Sequence, residues 1–255
     1  MFTVPLLHVW PDGQSRPVAE QMALDEALLH LSLETGSTLL RWYGWDAPAR
    51  TIGYGDPALL DDSPPWARRC TGGGLVEHGE DLTLALAYPA GSALAKAPAP
   101  ERYRWVHEAL QRAAVDAAWP LQRASCVAPA TAPAKGQACF AAPVTDDLLD
   151  PGDGRKIVGG AQRRSRGAVL HQGSLRVPAG WRDPSARWLD QFHEILAEAV
   201  ETMSESLRVE LLGRAAILAR DRYETNGWNR RIDESNRDCV AQQTPVASAR
   251  EIRLP

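Results

Sequence analysis

The sequence predicts one mixed α/β domain, and three observations carry that expectation. Short apolar segments of strand length alternate with longer stretches whose apolar residues recur at helical spacing. No internal repeat and no evident linker divides the chain. The composition of the 255 residues, 44% hydrophobic and 24% charged, is that of an ordinary globular protein long enough to bury a large core.

Taken in order, Leu6–Trp10 reads as a strand closed by the turn Pro11-Asp-Gly13. In the helix expected over Glu20–Leu33, Met22, Leu24, Leu28 and Leu31 share a broad apolar face, and Gly36 is its stop. Leu39–Tyr43 and Ala49–Ile52 read as strands, with a bend at Gly53-Tyr-Gly55 and irregular chain around Pro57, Pro64 and Pro65. Arg68–Pro89 reads as a hairpin pair, because Leu82, Leu84 and Leu86 alternate beyond a turn at Glu80-Asp81. Pro98 and Pro100 open a helix over Arg102–Ala118. Ala124–Lys135, rich in alanine and proline, reads as a mobile loop. Strands are expected at Lys156–Ala161 and Ala168–Leu175, then helices at Arg187–Met203 and Leu211–Tyr223, with a polar, frayed tail beyond Arg231.

Several classes of function are disfavoured. A net charge of -4 gives no case for nucleic-acid or membrane binding. No uninterrupted apolar run reaches the roughly 18 residues of a membrane span. The start, Met1-Phe-Thr-Val-Pro, has neither the basic head nor the cleavage site of a secretory leader, so a cytoplasmic protein is expected. Cys70, Cys126, Cys139 and Cys239 are widely spaced without a CxxC pair, which predicts reduced thiols rather than a zinc site or a disulfide framework. Neither a Walker loop nor a GxGxxG fingerprint is present, nor a nucleophile elbow around Gly173-Ser174.

Three elements remain that together read as an acyl-transfer site. Cys139, in Gly136-Gln-Ala-Cys-Phe140, lies in a glycine-bearing, loop-like stretch where a thiolate could act as nucleophile, although free cysteine more often only packs. Lys156, in Gly154-Arg-Lys-Ile-Val-Gly-Gly160, is one of three lysines in an arginine-rich chain; a solvated lysine at a strand start is the bland alternative. Arg68-Arg-Cys-Thr-Gly-Gly-Gly74 offers backbone that can approach a ligand closely, or simply a flexible turn. His78 and His171 are pocket or acid–base candidates against the commoner reading of packing. Arg155, Lys156, Arg163, Arg164 and Arg166 form a basic run that reads as solvated surface, or as a steering patch for an acidic partner.

In chain order, Asp25-Glu26, Leu40-Arg-Trp-Tyr-Gly-Trp45, Arg69-Cys-Thr71-Gly72-Gly73-Gly74 with His78, Gly154-Arg-Lys156-Ile-Val-Gly159-Gly160-Ala161, Leu170-His-Gln-Gly-Ser174 and Arg222–Asn229 resemble the biotin/lipoate protein ligase superfamily. Cys139-Phe-Ala-Ala-Pro143 is similar to the cysteine-dependent lipoyl-carrier octanoyltransferase branch. The chain departs from that branch at Gly74, at the order His171-Gln172, and at Asp147, where glutamate is usual. The resemblance implies an α+β catalytic domain over residues 1–231 with a central mixed sheet flanked by helices, and a polar tail at 232–255.

It also implies Cys139 and Lys156 as catalytic residues, with Arg69, Thr71, Gly72, Gly73, Gly74, His78, Gly159, Gly160 and Ala161 around the substrate. The implied reaction moves an octanoyl group from acyl carrier protein, through a cysteine thioester, to a lysine of a lipoyl domain such as the glycine-cleavage H protein. It needs no metal or other cofactor. An ATP- and magnesium-dependent lipoate ligase, a non-catalytic lipoyl-domain binder and, more remotely, a biotin ligase are the alternatives.

Overall fold

An eight-stranded mixed sheet is the backbone of the molecule in a computed structural model that describes residues 2–124 and 138–231. In chain order the elements are β1 (Val4–Asp12), α1 (Val18–Thr35), β2 (Thr38–Tyr43), β3 (Ala49–Ile52), β4 (Trp66–Arg68), β5 (Val76–His78), β6 (Leu82–Tyr88), α2 (Ala93–Lys96), α3 (Ala99–Asp116), β7 (Gln122–Arg123), β8 (Leu148–Leu149), β9 (Lys156–Ser165), β10 (Ala168–Leu175), α4 (Trp188–Leu196), β11 (Ala197–Thr202), α5 (Glu205–Leu218) and α6 (Asn226–Asn229). The sheet runs β11-β1-β2-β6-β10-β9-β8-β7, and a smaller one runs β4-β3-β5. In the large sheet β11, β1 and β2 are parallel, and every later neighbour is antiparallel.

The strand sequences explain why helices cover both faces. In β6, Leu82, Leu84, Leu86 and Tyr88 join one apolar cluster with Trp105, Leu110, Phe192 and Leu196 of α3 and α4. The intervening Ala85 and Ala87 join a second cluster with Met22, Leu28, Leu211 and Tyr223 on the other face. The period-two alternation is therefore large-on-small rather than apolar-on-polar, as a strand buried on both sides requires. α1 ends as expected: Gly36 adopts φ 70° and its N–H caps Ser32 O at 3.1 Å.

Three expectations are corrected. Arg68–Pro89 does not fold back on itself: β4 and β5 both pair with β3, while β6 inserts between β2 and β10. The expected helix Arg187–Met203 stops at Leu196, and Ala197–Thr202 instead pairs in parallel with β1. Helix-favouring Ala-Glu-Ala loses there to the ladder that β1 offers. Ser204 then caps α5 by accepting from Leu207 N–H at 3.3 Å, worth roughly 1 kcal/mol, so the last helix starts earlier than Leu211. The polar tail at 232–255 and almost all of the loop at 124–135, with Cys126 and Cys239, lie outside the described residues. No helix among the described residues is long and apolar enough to cross a membrane.

Candidate active site

The site forms where the glycine loop, the start of β9 and the segment after Ala138 meet. Ala138 bridges Leu75 in parallel register, and Cys139 N–H donates to Leu75 O at 2.7 Å, so the thiol segment is zipped to the exit of the glycine loop. The ammonium of Lys156, a residue only 4% exposed, lies 3.6 Å from the Cys139 sulfur. It also donates to Cys139 O at 3.0 Å and pairs with the Asp147 carboxylate at 2.8 Å. The side chain folds back over Gly159, where an added Cβ would stand 2.7 Å from Nζ; any larger residue there would displace the ammonium.

Asp147 is fully buried and held on three sides. Besides Lys156 it accepts from Tyr103 Oη at 2.5 Å and from Val144 N–H at 2.6 Å. Burial, then the adjacent Asp147 charge, push the Tyr103 phenol well above its ordinary value, so it remains the donor. The same oxygen accepts from Gly160 N–H at 2.9 Å, which ties α3 to β9 directly behind the lysine.

The glycine loop is braced from inside. Arg69 donates to Gly72 O at 3.0 Å, to Gly74 O at 2.8 Å and to Thr51 Oγ1 at 2.7 Å. Gly73, at φ 86°, brings its carbonyl so close to Gly53 that no side chain fits at that position. Thr71 donates to Gln172 Oε1 at 2.6 Å, and Gln172 donates to Asp25 at 2.6 Å, within a buried set including Arg41 and Tyr43. Arg68 points away from the cleft, its guanidinium bonding Gly53 O at 3.0 Å, Asp56 O at 2.6 Å and Asn229 O at 2.9 Å. It therefore locks the C-terminal Arg222–Asn229 motif beneath the loop.

His78 sits in a chain of buried polar groups. Its Nδ1 is 2.8 Å from Asp81 Oδ2, its Nε2 is 2.8 Å from Thr51 Oγ1, and its ring stacks on Trp45 at 4.1 Å. Asp81 also accepts from Ser174 Oγ at 2.6 Å. Burial alone would raise Asp81, but His78 and the hydrogen bonds from His78, Ser174 and Gly79 hold it below the ordinary carboxylate value.

A narrow, mostly apolar cleft with about 30 Å³ of free space opens on these groups. Of the residues expected around substrate, Arg69, Gly73, His78, Cys139, Gly159, Gly160 and Ala161 line it. Thr71, Gly72 and Gly74 do not line it and brace the loop instead; Lys156 reaches the thiol from behind rather than forming the wall. Thr51 lines it without having been singled out, as do Met22, read before only as part of a helix face, and Gln172, noted only as a departure in motif order. The spacing His78-x-x-Asp81 across a turn was the available sign of the imidazole–carboxylate pair.

The remaining candidates separate clearly. Cys70 is 3% exposed and burial pushes its thiol up to about 12, so it stays protonated. His171 faces away from the cleft against α3, and burial holds it well below its ordinary value. The basic run is not one solvated face. Arg163 donates to Cys70 O and stacks on Tyr54, Lys156 is buried, and only Arg155, Arg164 and Arg166 are exposed. No cluster of three or more metal-ligating side chains exists among the described residues.

Residues 17–210 match the model of the lipoyl protein ligase A/B catalytic domain. Octanoyltransferase LipM of Bacillus subtilis (strain 168) is 30% identical over 176 residues, covering 64% of this chain and 62% of that protein, so the match spans less than two thirds of that relative. Octanoyltransferase LipM of Kyrpidia tusciae is 32% identical over 214 residues, 74% of each chain. Among solved structures, a bi-partite lipoate protein ligase from Thermoplasma acidophilum is similar with a TM-score of 0.61 and 20% identity, covering 92% of this chain and 99% of that one. That last likeness is one of fold.

Proposed function

The chain belongs to the lipoyl protein ligase A/B catalytic-domain family, and from that premise we propose that it is an octanoyltransferase working through a thioester on Cys139. The donor is octanoyl-acyl carrier protein, and the acceptor is a lysine on a lipoyl domain such as the glycine-cleavage H protein. Residues 1–231 are the proposed catalytic unit. The observation that carries this reading is the pairing of a half-buried thiol with an ammonium 3.6 Å away, at the edge of a mostly apolar cleft. Octanoyltransferases among the relatives support the same reaction class.

Lys156 places an ammonium 3.6 Å from the sulfur, where it can stabilise charge developing at the reacting centre. Cys139 gives its proton to solvent and attacks the thioester carbonyl as a thiolate, forming a new C–S bond; the C–S bond to the carrier breaks, and the carrier thiolate leaves and takes a proton from solvent. Two of the three lysine donors are occupied by Asp147 and Cys139 O, so the ammonium acts chiefly on the sulfur and on charge developing next to it. The acyl group then passes to the lysine amine. Thioester to amide is downhill, which removes any need for nucleotide.

Intact-mass measurement after incubation with octanoyl-acyl carrier protein tests the reading directly. The expected result is an octanoyl adduct mapped to Cys139 that disappears on adding a lipoyl domain, with octanoyl appearing on the domain. Lipoylation only with free lipoate, ATP and magnesium, and no adduct on Cys139, would overturn it in favour of a ligase.

A further inference from the structure

Thr51, His78 and Asp81 lie in the order hydroxyl, imidazole, carboxylate, each step spanning 2.8 Å. We propose that this row is the proton acceptor for the incoming lysine in the second half-reaction, resting on the octanoyl-transfer reading above. A lysine ε-ammonium has no lone pair; it must lose a proton before it can attack a thioester. Lys156 cannot take that proton, because it arrives already charged and clamped to Asp147. Asp147 is shielded from the cleft by the same contact. Thr51 and His78, by contrast, line the cleft together with Cys139.

The hydrogen-bond roles follow from the partners. Arg69 can only donate, so Thr51 Oγ1 accepts from it and offers its own hydrogen to His78 Nε2. His78 then carries its hydrogen on Nδ1, facing the charged Asp81, which Ser174 and Thr83 hold in place at 2.6 Å and 3.2 Å. Nε2 is the basic nitrogen, and the oxygen of Thr51, a residue lining the cleft, keeps a second lone pair besides the one that accepts from Arg69. Stacking on Trp45 fixes the ring plane.

The step balances as follows. The ε-ammonium gives one proton to Thr51 Oγ1 as the hydroxyl passes its own to His78 Nε2. The imidazolium so formed is stabilised by Asp81. The freed amine attacks the thioester carbon, forming C–N; the tetrahedral centre expels the Cys139 sulfur, breaking C–S. The second amine proton is lost to solvent or to the departing thiolate, and His78 returns its proton to solvent.

The experiment uses full-length protein loaded with octanoyl on Cys139, then follows loss of the adduct to two nucleophiles by intact mass. A lipoyl-domain lysine brings an ammonium to discharge; hydroxylamine, neutral near neutral pH, does not. Thr51→Val and His78→Gln are expected to slow transfer to the lysine by about 10²-fold or more, and to slow hydroxylamine far less. Thr51→Ser, which keeps the hydroxyl, restores lysine transfer. Equal slowing of both nucleophiles, or wild-type lysine transfer in Thr51→Val, overturns the relay. If His78→Gln does not fold, the Thr51→Val and Thr51→Ser pair decides. Failure of the wild type to load octanoyl at all would instead overturn the octanoyl-transfer reading.

Discussion

Asp147 and Lys156 face each other at 2.8 Å with both side chains buried, and the same ammonium touches the sulfur of Cys139. The pair is a structural clamp, and in the proposed octanoyl transfer the same ammonium also serves the thiol. Asp147→Asn should cost about 3–5 kcal/mol, because it leaves a buried ammonium without its counter-charge. The double variant Asp147→Asn with Lys156→Met removes the orphan charge and should recover much of that loss. It should nonetheless form thioenzyme about 10²–10³ more slowly than wild type. Denaturant midpoints and adduct kinetics measured on the same samples separate the two roles. A wild-type midpoint for Asp147→Asn would contradict the clamp.

Thiol chemistry should discriminate sharply between the two described cysteines. Cys139 is half-buried beside a cation, whereas burial pushes Cys70 up to about 12. Iodoacetamide near neutral pH is expected to alkylate Cys139 and abolish octanoyl loading, with Cys70 modified only on unfolding. Peptide mapping reads this out residue by residue. Faster labelling of Cys70 than Cys139 would remove the case for the nucleophile.

Much of this site was legible because chemistry-bearing residues sat in glycine-rich breaks of the apolar pattern. Cys139, Lys156, Arg69 and Gly73 were visible that way, and β10 was found with its observed limits. What stayed hidden depends on partners distant in sequence. Asp147 was marked only as a departure where glutamate is usual; that it is the buried partner of Lys156 emerges only when Tyr103 and Lys156 converge on it. Thr51 looks like any strand threonine until His78 arrives 27 positions later. The strand Ala197–Thr202 was hidden for a similar reason, since its partner β1 is the first strand of the chain.

Met22 should set how long an acyl chain the cleft accepts. It is 2% exposed, it lines the cleft on the α1 side, and free space there is about 30 Å³. For the proposed octanoyl group to enter, flexible side chains must give way, and a thioether is the most adaptable of those available. Met22→Ala is expected to cost about 2–5 kcal/mol in stability while raising loading of longer acyl groups relative to octanoyl. Competition between octanoyl- and dodecanoyl-carrier, scored by intact mass, checks it. An unchanged preference would place the acyl chain elsewhere.

His193 gives the fold an acid limit well away from the thiol. Trp42 Nε1–H donates to His193 Nε2 at 2.9 Å, so that nitrogen must keep its lone pair, and burial, opposed by the charge of Asp190, lowers the imidazole to about 4. His107 is lowered to about 4 as well, chiefly by burial, with its Nδ1–H donating to Asp146 O at 2.7 Å. In the unfolded chain both return to the ordinary value near 6.5. Between about 6.5 and 4 the unfolded state therefore binds more protons than the folded one. Their stabilising effect is complete above 6.5 and declines as pH falls through that window, by up to roughly 3 kcal/mol for each residue. Chemical denaturation from pH 7 to 4 should show that decline. His193→Gln, which keeps an acceptor for Trp42 but cannot be protonated in this range, should make it shallower. An identical slope in the variant would mean that protonation of His193 is not what limits the folded state in acid.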